Sequence, residues 1–193
     1  MVRRGVLVFL AVAMDNDVSN VLSLLSLTED HFIERGLPRY EDAPELIIAQ
    51  TDEDGREHEL TPLTCEAWQR MKQAAAEDGH DLFLVSAFRS VSRQAEIVRN
   101  KHLAGISNEE IFAVSAPPGF SEHHTGRAID ISTPGYPVLE EEFETSDAFA
   151  WLAENAESFG FSMTYPRGNR YGFLYEPWHW CFTESKITGM ERV

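Results

Sequence analysis

The chain has 193 residues, 43% of them hydrophobic and 25% charged, ordinary proportions for a soluble globular protein with length enough for one real core. Asp and Glu outnumber Lys and Arg by 32 to 16, and the net charge of -16 argues against nucleic acid or an anionic membrane surface as a partner. Cys65 and Cys181 stand far apart, with no CxxC or Cys/His ligand spacing, which argues against a zinc ribbon; two free, buried thiols are the default and one disulfide the alternative.

The opening stretch MVRRGVLVFLAVAMD has two arginines, an apolar run from Gly5 to Met14, and Ala11-Val12-Ala13 placed like an A-x-A cleavage site. It resembles a short secretory signal over residues 1–13. The run is shorter than the roughly 20 apolar residues a spanning helix needs. A first core strand, or an upstream extension if translation begins at Met14, are the other readings. No later segment is apolar enough to cross a membrane.

Val18, Val21, Leu22 and Leu25 recur at helical spacing and predict a short amphipathic helix. EDAPELIIAQTDEDGREHEL reads as a strand, an Asp-Gly turn and a return strand, a hairpin. TPLTCEAWQRMKQAAAEDG opens on Thr61 and a first-turn proline, and stops at Gly79. It predicts a helix with Leu63, Ala67, Met71, Ala74 and Ala75 on one face. DLFLVSAF reads as a buried strand. SVSRQAEIVRNKHLAG is a second long helix, capped by Ser90 or Ser92 and closed by Gly105. Ser107 and Glu110 have the spacing of a capping box for a short helix through Val114.

APPGFSEHHTG reads as loop, and RAIDIS as a strand with Ile129 and Ile131 toward the core. TSDAFAWLAENAESFG predicts a third good helix. FSMTY and WHWCF read as strands flanking the glycine-containing loop PRGNRYG. With no repeat, low-complexity tract or linker, the expectation is one α+β domain over residues 14–193, helices packed on a largely antiparallel sheet.

Chemistry-bearing residues concentrate in three loops: AFRS at 87–90, SEHHTGRAID at 121–130 and YEPWHW at 175–180. A catalytic zinc site wants three protein ligands and one open position. His123, Asp130 and His179 would supply such a set, with Glu176 as a candidate base three residues before His179. The spacing is only suggestive, because lone histidines are commonly structural and a strand-end aspartate is commonly a turn or cap residue.

SEHHTGRAID matches S-x-H-x-x-G-x-A-x-D, and EPWHW matches E-x-x-H in an aromatic setting. Together they resemble the zinc D-Ala-D-Ala carboxypeptidase family, the vancomycin-resistance type within the LAS metallopeptidases. SAFRSVSRQ resembles that family's aromatic-Arg-Ser stretch with a glutamine four residues after the serine. FGFSMTYPRGN resembles its Gly-Phe…Tyr-Pro-x-Gly segment. The likeness runs in order over roughly residues 61–182 and leaves residues 1 to about 40 uncovered.

The resemblance implies a hedgehog/D-Ala-D-Ala-peptidase-like fold, with zinc on His123, Asp130 and His179. It implies that Glu176 activates the water, and that Arg89, helped by Ser121 and Gln94, holds the substrate's terminal carboxylate or the oxyanion. The implied substrate is a peptidoglycan stem peptide or muropeptide losing its C-terminal D-alanine. An L,D-carboxypeptidase or a D-Ala-D-Ala dipeptidase would share the site, and an inactive peptidoglycan-binding module is the reading of another class. Glu176 speaks against that module, which has no need of a base.

A monomer in the periplasm or cell envelope is expected, with no nucleic acid and no stable membrane insertion; a start at Met14 would allow the cytoplasm. His123 falls on the motif's ligand position and His124 on a free one. In extended backbone adjacent side chains diverge, so His124 is expected to line the cleft, to support a ligand, or simply to be exposed. Gly126 permits the turn and Ala128 a close approach. Thr164 stands where many relatives carry arginine, and Cys181-Phe182 follows WHW; these departures leave D,D- versus L,D-specificity open. Tyr175, Trp178 and Trp180 are read as core or pocket wall.

Overall fold

A computed structural model describes residues 18–184. The signal-like residues 1–13 lie outside them. Two short helices, α1 (Val18–Leu24) and α2 (Asp30–Glu34), precede a hairpin of β1 (Ile47–Thr51) and β2 (Glu57–Leu60). Then come α3 (Pro62–Glu77), β3 (Phe83–Ser86), α4 (Val91–Leu103) and α5 (Asn108–Val114). They are followed by β4 (Ala128–Ser132), α6 (Asp147–Asn155), β5 (Phe161–Met163) and β6 (His179–Phe182). Strands β3 to β6 form an antiparallel sheet in the order β3-β4-β6-β5. The α+β expectation holds, and the predicted hairpin closes at Asp52–Gly55 with Gly55 at positive φ.

Capping chemistry sets the helix starts. Ser90, not Ser92, caps α4, accepting from the Arg93 amide at 3.1 Å. Ser107 and Glu110 close the predicted capping box on α5. The predicted inward face of α3 holds at Ala67, Met71 and Ala75, with Ala74 partly buried against the core; Thr64, Cys65 and Trp68 also turn inward, and Leu63 is the exception at 53% exposed. Trp68 is the bulkiest apolar group on the helix. Burying it outranks the smaller leucine, since burial stabilises in proportion to the apolar area removed from water. Both cysteines are free, Cys65 buried and Cys181 partly so.

Two apolar clusters flank the sheet. In one, α3 and α6 pack on the sheet through Trp68, Met71, Leu152, Ile129, Ile131, Phe161 and Trp180. The other joins α1, α2, α4 and α5 with Phe120, Tyr165 and Phe173, so the segment beyond the motif-bearing region is part of the fold. Between the clusters, the chain after α2 runs over the loop that carries the two histidines. The Tyr40 amide donates to Gly119 O at 2.7 Å, and the Ala43 amide donates to His124 O at 2.8 Å.

Candidate active site

Sheet register builds half of the site. Strand β4 pairs with β6 so that Asp130 stands opposite His179, and Asp130 also pairs across β3 with Ser86. Every residue of β4 is buried, which forces the Asp130 carboxylate to find partners inside the protein. His123 arrives from the segment before β4. That segment is a 3-10 turn (Glu122–Thr125) rather than the open loop expected, closed by Gly126 at φ 62°. A Cβ on Gly126 would lie 2.8 Å from Leu46 Cδ2, so both the backbone and the space call for glycine.

The two imidazoles and the carboxylate converge. His123, Asp130 and His179 are all buried, and each offers a ligand atom within 4.8 Å of the others. His179 Nδ1 is 3.0 Å from Asp130 Oδ1, and His123 Nε2 is 3.3 Å from Asp130 Oδ2. Outer partners fix the rings. His123 Nδ1 donates to Ala87 O at 2.7 Å, and His179 Nε2 donates to Glu122 Oε2 at 2.9 Å. These bonds leave His123 Nε2 and His179 Nδ1 facing inward, the tautomers a shared cation needs.

The arrangement fits a divalent metal of zinc's kind. A tetrahedral ion with bonds near 2.0–2.1 Å spaces its ligand atoms about 3.3 Å apart, and here one ligand atom from each residue lies within 4.8 Å of the others, near enough to share one ion. Burial opposes charge on His179, but hydrogen bonds to Asp130 and Glu122 outweigh it and raise its pKa to about 10. Burial likewise opposes ionisation of Asp130, yet the two histidines hold it well below the carboxylate range.

Glu122 was not singled out in the sequence, where it occupies a variable position of the motif. Only the folded turn, by aiming its carboxylate at His179 Nε2, gives it work. Burial disfavours its charge, but the bond from His179 prevails and lowers its pKa, with further help from Thr164. Thr164, noted only as a departure, therefore touches the residue that orients a ligand. Tyr165 completes the setting, its ring tilted 32° to that of His179 with centroids 4.6 Å apart.

Of the three readings of His124, exposure and cleft lining fail and a supporting donor remains. It is fully buried at 0%, because a 3-10 turn, unlike extended backbone, need not send one neighbour outward. Its Nδ1 donates to Arg89 O at 2.6 Å and its Nε2 accepts from the Gly119 amide at 3.1 Å. With the Arg89 amide donating to His123 O at 3.2 Å, the adjacent histidines hold the N–H and the carbonyl of one residue, Arg89. Their backbone and side-chain bonds tie the start of the 88–90 segment to the turn.

An open cleft of about 430 Å³ lies over this cluster. Its walls include His123, Asp130, His179, Glu176, Arg89, Ser121 and Gln94, so the structure brings together all of the site residues expected from sequence. Gln94 is 1% exposed and its Nε2 donates to Ala116 O at 2.6 Å. Ser121 is also buried. Tyr175 and Trp178 line the cleft, whereas Trp180 belongs to the core.

Glu176 Oε2 is 3.9 Å from His179 Nδ1, at the edge of the cluster rather than in it. Burial pushes its pKa up to about 7, with His179 pulling it down and Asp130 pushing it higher. A carboxyl poised near neutrality beside a candidate metal site is suited to accept and return a proton. Burial lowers the pKa of Arg89, opposed by Asp130 and Glu176, and its Nε finds no hydrogen-bond partner among the described residues.

Comparison with known proteins agrees with this geometry. YodJ of Bacillus subtilis (strain 168) is 30% identical over 177 residues, 88% of this chain and 63% of that protein. The D-alanyl-D-alanine carboxypeptidase of Enterococcus faecalis (strain ATCC 700802 / V583) is 31% identical over 124 residues, covering 59% of this chain. The chain spans 63% and 44% of the lengths of these two relatives. Among solved structures, the LdcB LD-carboxypeptidase superposes with a TM-score of 0.67 at 30% identity over 77% of this chain and 73% of that one. A mutant of the D,D-pentapeptidase VanY, in complex with Zn(II), gives 0.57 at 28% identity over 76% and 82%. Residues 57–185, which carry the whole cluster, match the VanY family model, and the chain belongs to the VanY D-alanyl-D-alanine carboxypeptidase family.

Proposed function

We propose that the protein is a zinc-dependent carboxypeptidase that removes the C-terminal D-alanine from peptidoglycan stem peptides. The observation that carries the reading is Glu176, a buried carboxyl poised near pH 7 at the margin of three converging ligand groups in an open cleft. A binding module would have no use for it.

His123, Asp130 and His179 would hold the ion, and Glu122 would keep the His179 ring in register. Bound there, zinc supplies Lewis acidity toward a peptide carbonyl and an acidified water at neutral pH. Glu176 takes the proton of the attacking water and hands it to the departing amine. Arg89 offers a planar fork to the terminal carboxylate, which defines an enzyme acting at chain ends. Ser121 and Gln94 flank that contact. The exposed apolar side chains Val114, Leu139 and Leu174 at the cleft's edge suit the small methyl groups of alanine residues.

A second reading, L,D-carboxypeptidase, is favoured by the higher TM-score to LdcB, 0.67 against 0.57 for VanY. Pentapeptide and tetrapeptide substrates separate the two. Release of one D-alanine from the pentapeptide is expected, and turnover of the tetrapeptide alone would establish the L,D bond instead. Such a substrate would put the protein in the cell envelope. No helix among the described residues is long and apolar enough to cross a membrane.

Two substitutions probe the supporting residues. Arg89→Lys keeps the charge but loses the fork; kcat/KM should drop more than about tenfold with zinc retained, since a bond to a charged group contributes about 1.5–3 kcal/mol. An unchanged kcat/KM would remove Arg89 from substrate recognition. Glu122→Gln still accepts from His179 but without charge, and zinc affinity should weaken by roughly 10–100-fold, the usual effect of losing an outer partner. Competition with a chelator of known affinity measures it, and wild-type affinity would contradict the orienting role.

A further inference from the structure

We propose that Lys101 is the second cation of the cleft's anion-binding wall and that, together with Arg89, it receives the carboxylate of the residue being released. The proposal rests on the carboxypeptidase reading of the site and names a determinant of that reading which the motif does not contain. Helix α4 lines the cleft with Gln94, Ile97 and Lys101, whose spacings of three and four put them on one face. Helical side chains lean toward the helix N-terminus. Lys101 reaches Ser115 and Gln94 reaches the next residue, Ala116, so both side chains meet the same segment after α5.

The charge of Lys101 is not used up inside the protein. Its ammonium donates to Ser115 Oγ at 2.6 Å, a neutral partner that engages one of three N–H donors. Arg89 is near enough for its charge to act on Lys101 alongside burial, and Glu176 acts in the opposite sense. Among the described residues, neither cation forms an ion pair with a carboxylate within 4.0 Å. Both cations are partly removed from water, in a chain where acids outnumber bases by 32 to 16. Removing unpaired charge from water is costly, and a ligand carboxylate between them offsets that cost.

The cleft's lining also carries acidic residues. Glu140 and Glu141 belong to it, and Glu141 is partly neutralised by Arg167 at 2.9 Å. A substrate carboxylate is thus repelled from those acids and drawn to the cations, with Ile97 as an apolar member of the same lining. This orientation places the carboxylate of the released residue at the cations and away from the acids.

Binding of N-acetyl-D-alanine to the zinc-loaded protein, followed by calorimetry, tests the wall without turnover. Lys101→Met should weaken it about 3–10-fold with zinc content unchanged, the effect of one partly screened contact to a charge. Lys101→Arg should restore most of the affinity. Ser115→Ala, which removes the hydroxyl and keeps the charge, should stay within about twofold of wild type. N-acetyl-D-alaninamide, which lacks the carboxylate, should be indifferent to Lys101→Met.

Wild-type affinity in Lys101→Met, an equal loss in Ser115→Ala, or no binding of N-acetyl-D-alanine to the wild type would each overturn the proposal. If peptides are hydrolysed while Lys101→Met binds normally, the role of Lys101 falls alone. If binding behaves as expected and no peptide is hydrolysed, the carboxypeptidase reading falls and the anion wall stands.

Discussion

Glu176→Gln should retain one zinc per chain and lose roughly 10²–10⁴-fold in kcat, the usual contribution of a positioned proton acceptor. The amide keeps the shape and polarity of the carboxyl but cannot take a proton from water. Its place explains the rigidity of the arrangement: Pro177 and Trp178 separate it from His179, and the Glu176 amide donates to Tyr165 O at 3.1 Å. Near-normal turnover with zinc bound would end the proposed mechanism.

The same substitution has a signature in the metal-free protein. A carboxyl whose folded pKa is raised, here from 4.5 to about 7, binds its proton more tightly when folded. Its favourable contribution is therefore present at low pH and lost as pH rises through about 7. At about pH 8 the buried, ionised Glu176 destabilises the wild type, and Glu176→Gln should be more stable by about 3 kcal/mol. That corresponds to a rise in Tm of about 6–12 °C for a chain of this size. At about pH 4 both side chains are neutral and the gain should vanish. A gain independent of pH would show that Glu176 is not the titrating group.

His123→Ala and His124→Ala should fail in opposite ways. Without His123 the site keeps two ligands, and zinc should be lost at micromolar protein while the sheet remains folded. His124 touches no ligand atom. Removing it leaves Arg89 O and the Gly119 amide without buried partners, at about 1–3 kcal/mol for such a group, together with the space its ring filled. Zinc analysis with thermal unfolding should find His124→Ala less stable but metal-loaded. Equal zinc loss in both would undo the distinction between the neighbours.

Much of this was readable from sequence because local chemistry wrote it. Capping serines, the Asp-Gly turn and apolar periodicity placed the helices and strands, and the spacing S-x-H-x-x-G-x-A-x-D brought His123 and Asp130 to notice. What sequence could not carry was partnership across the sheet. The register that sets Asp130 opposite His179 depends on pairing between strands 49 residues apart. The inward turn of His124 depended on a 3-10 segment that no propensity announces. Glu122 and Lys101 were missed for a related reason: each lies in a polar, unremarkable position until the fold points it at a ligand ring or a cleft. Leu63 and Trp68 competed for one face, and only the sheet's position decided between them.

Mass spectrometry of purified muropeptides incubated with the protein tests the central claim most directly, because it reads bond cleavage without assuming which bond. With zinc present the account predicts loss of a single terminal D-alanine by the wild type, none by Glu176→Gln, and none after the metal is removed by chelation. Muropeptides left intact by the zinc-loaded wild type, or trimmed equally well by Glu176→Gln, would contradict it.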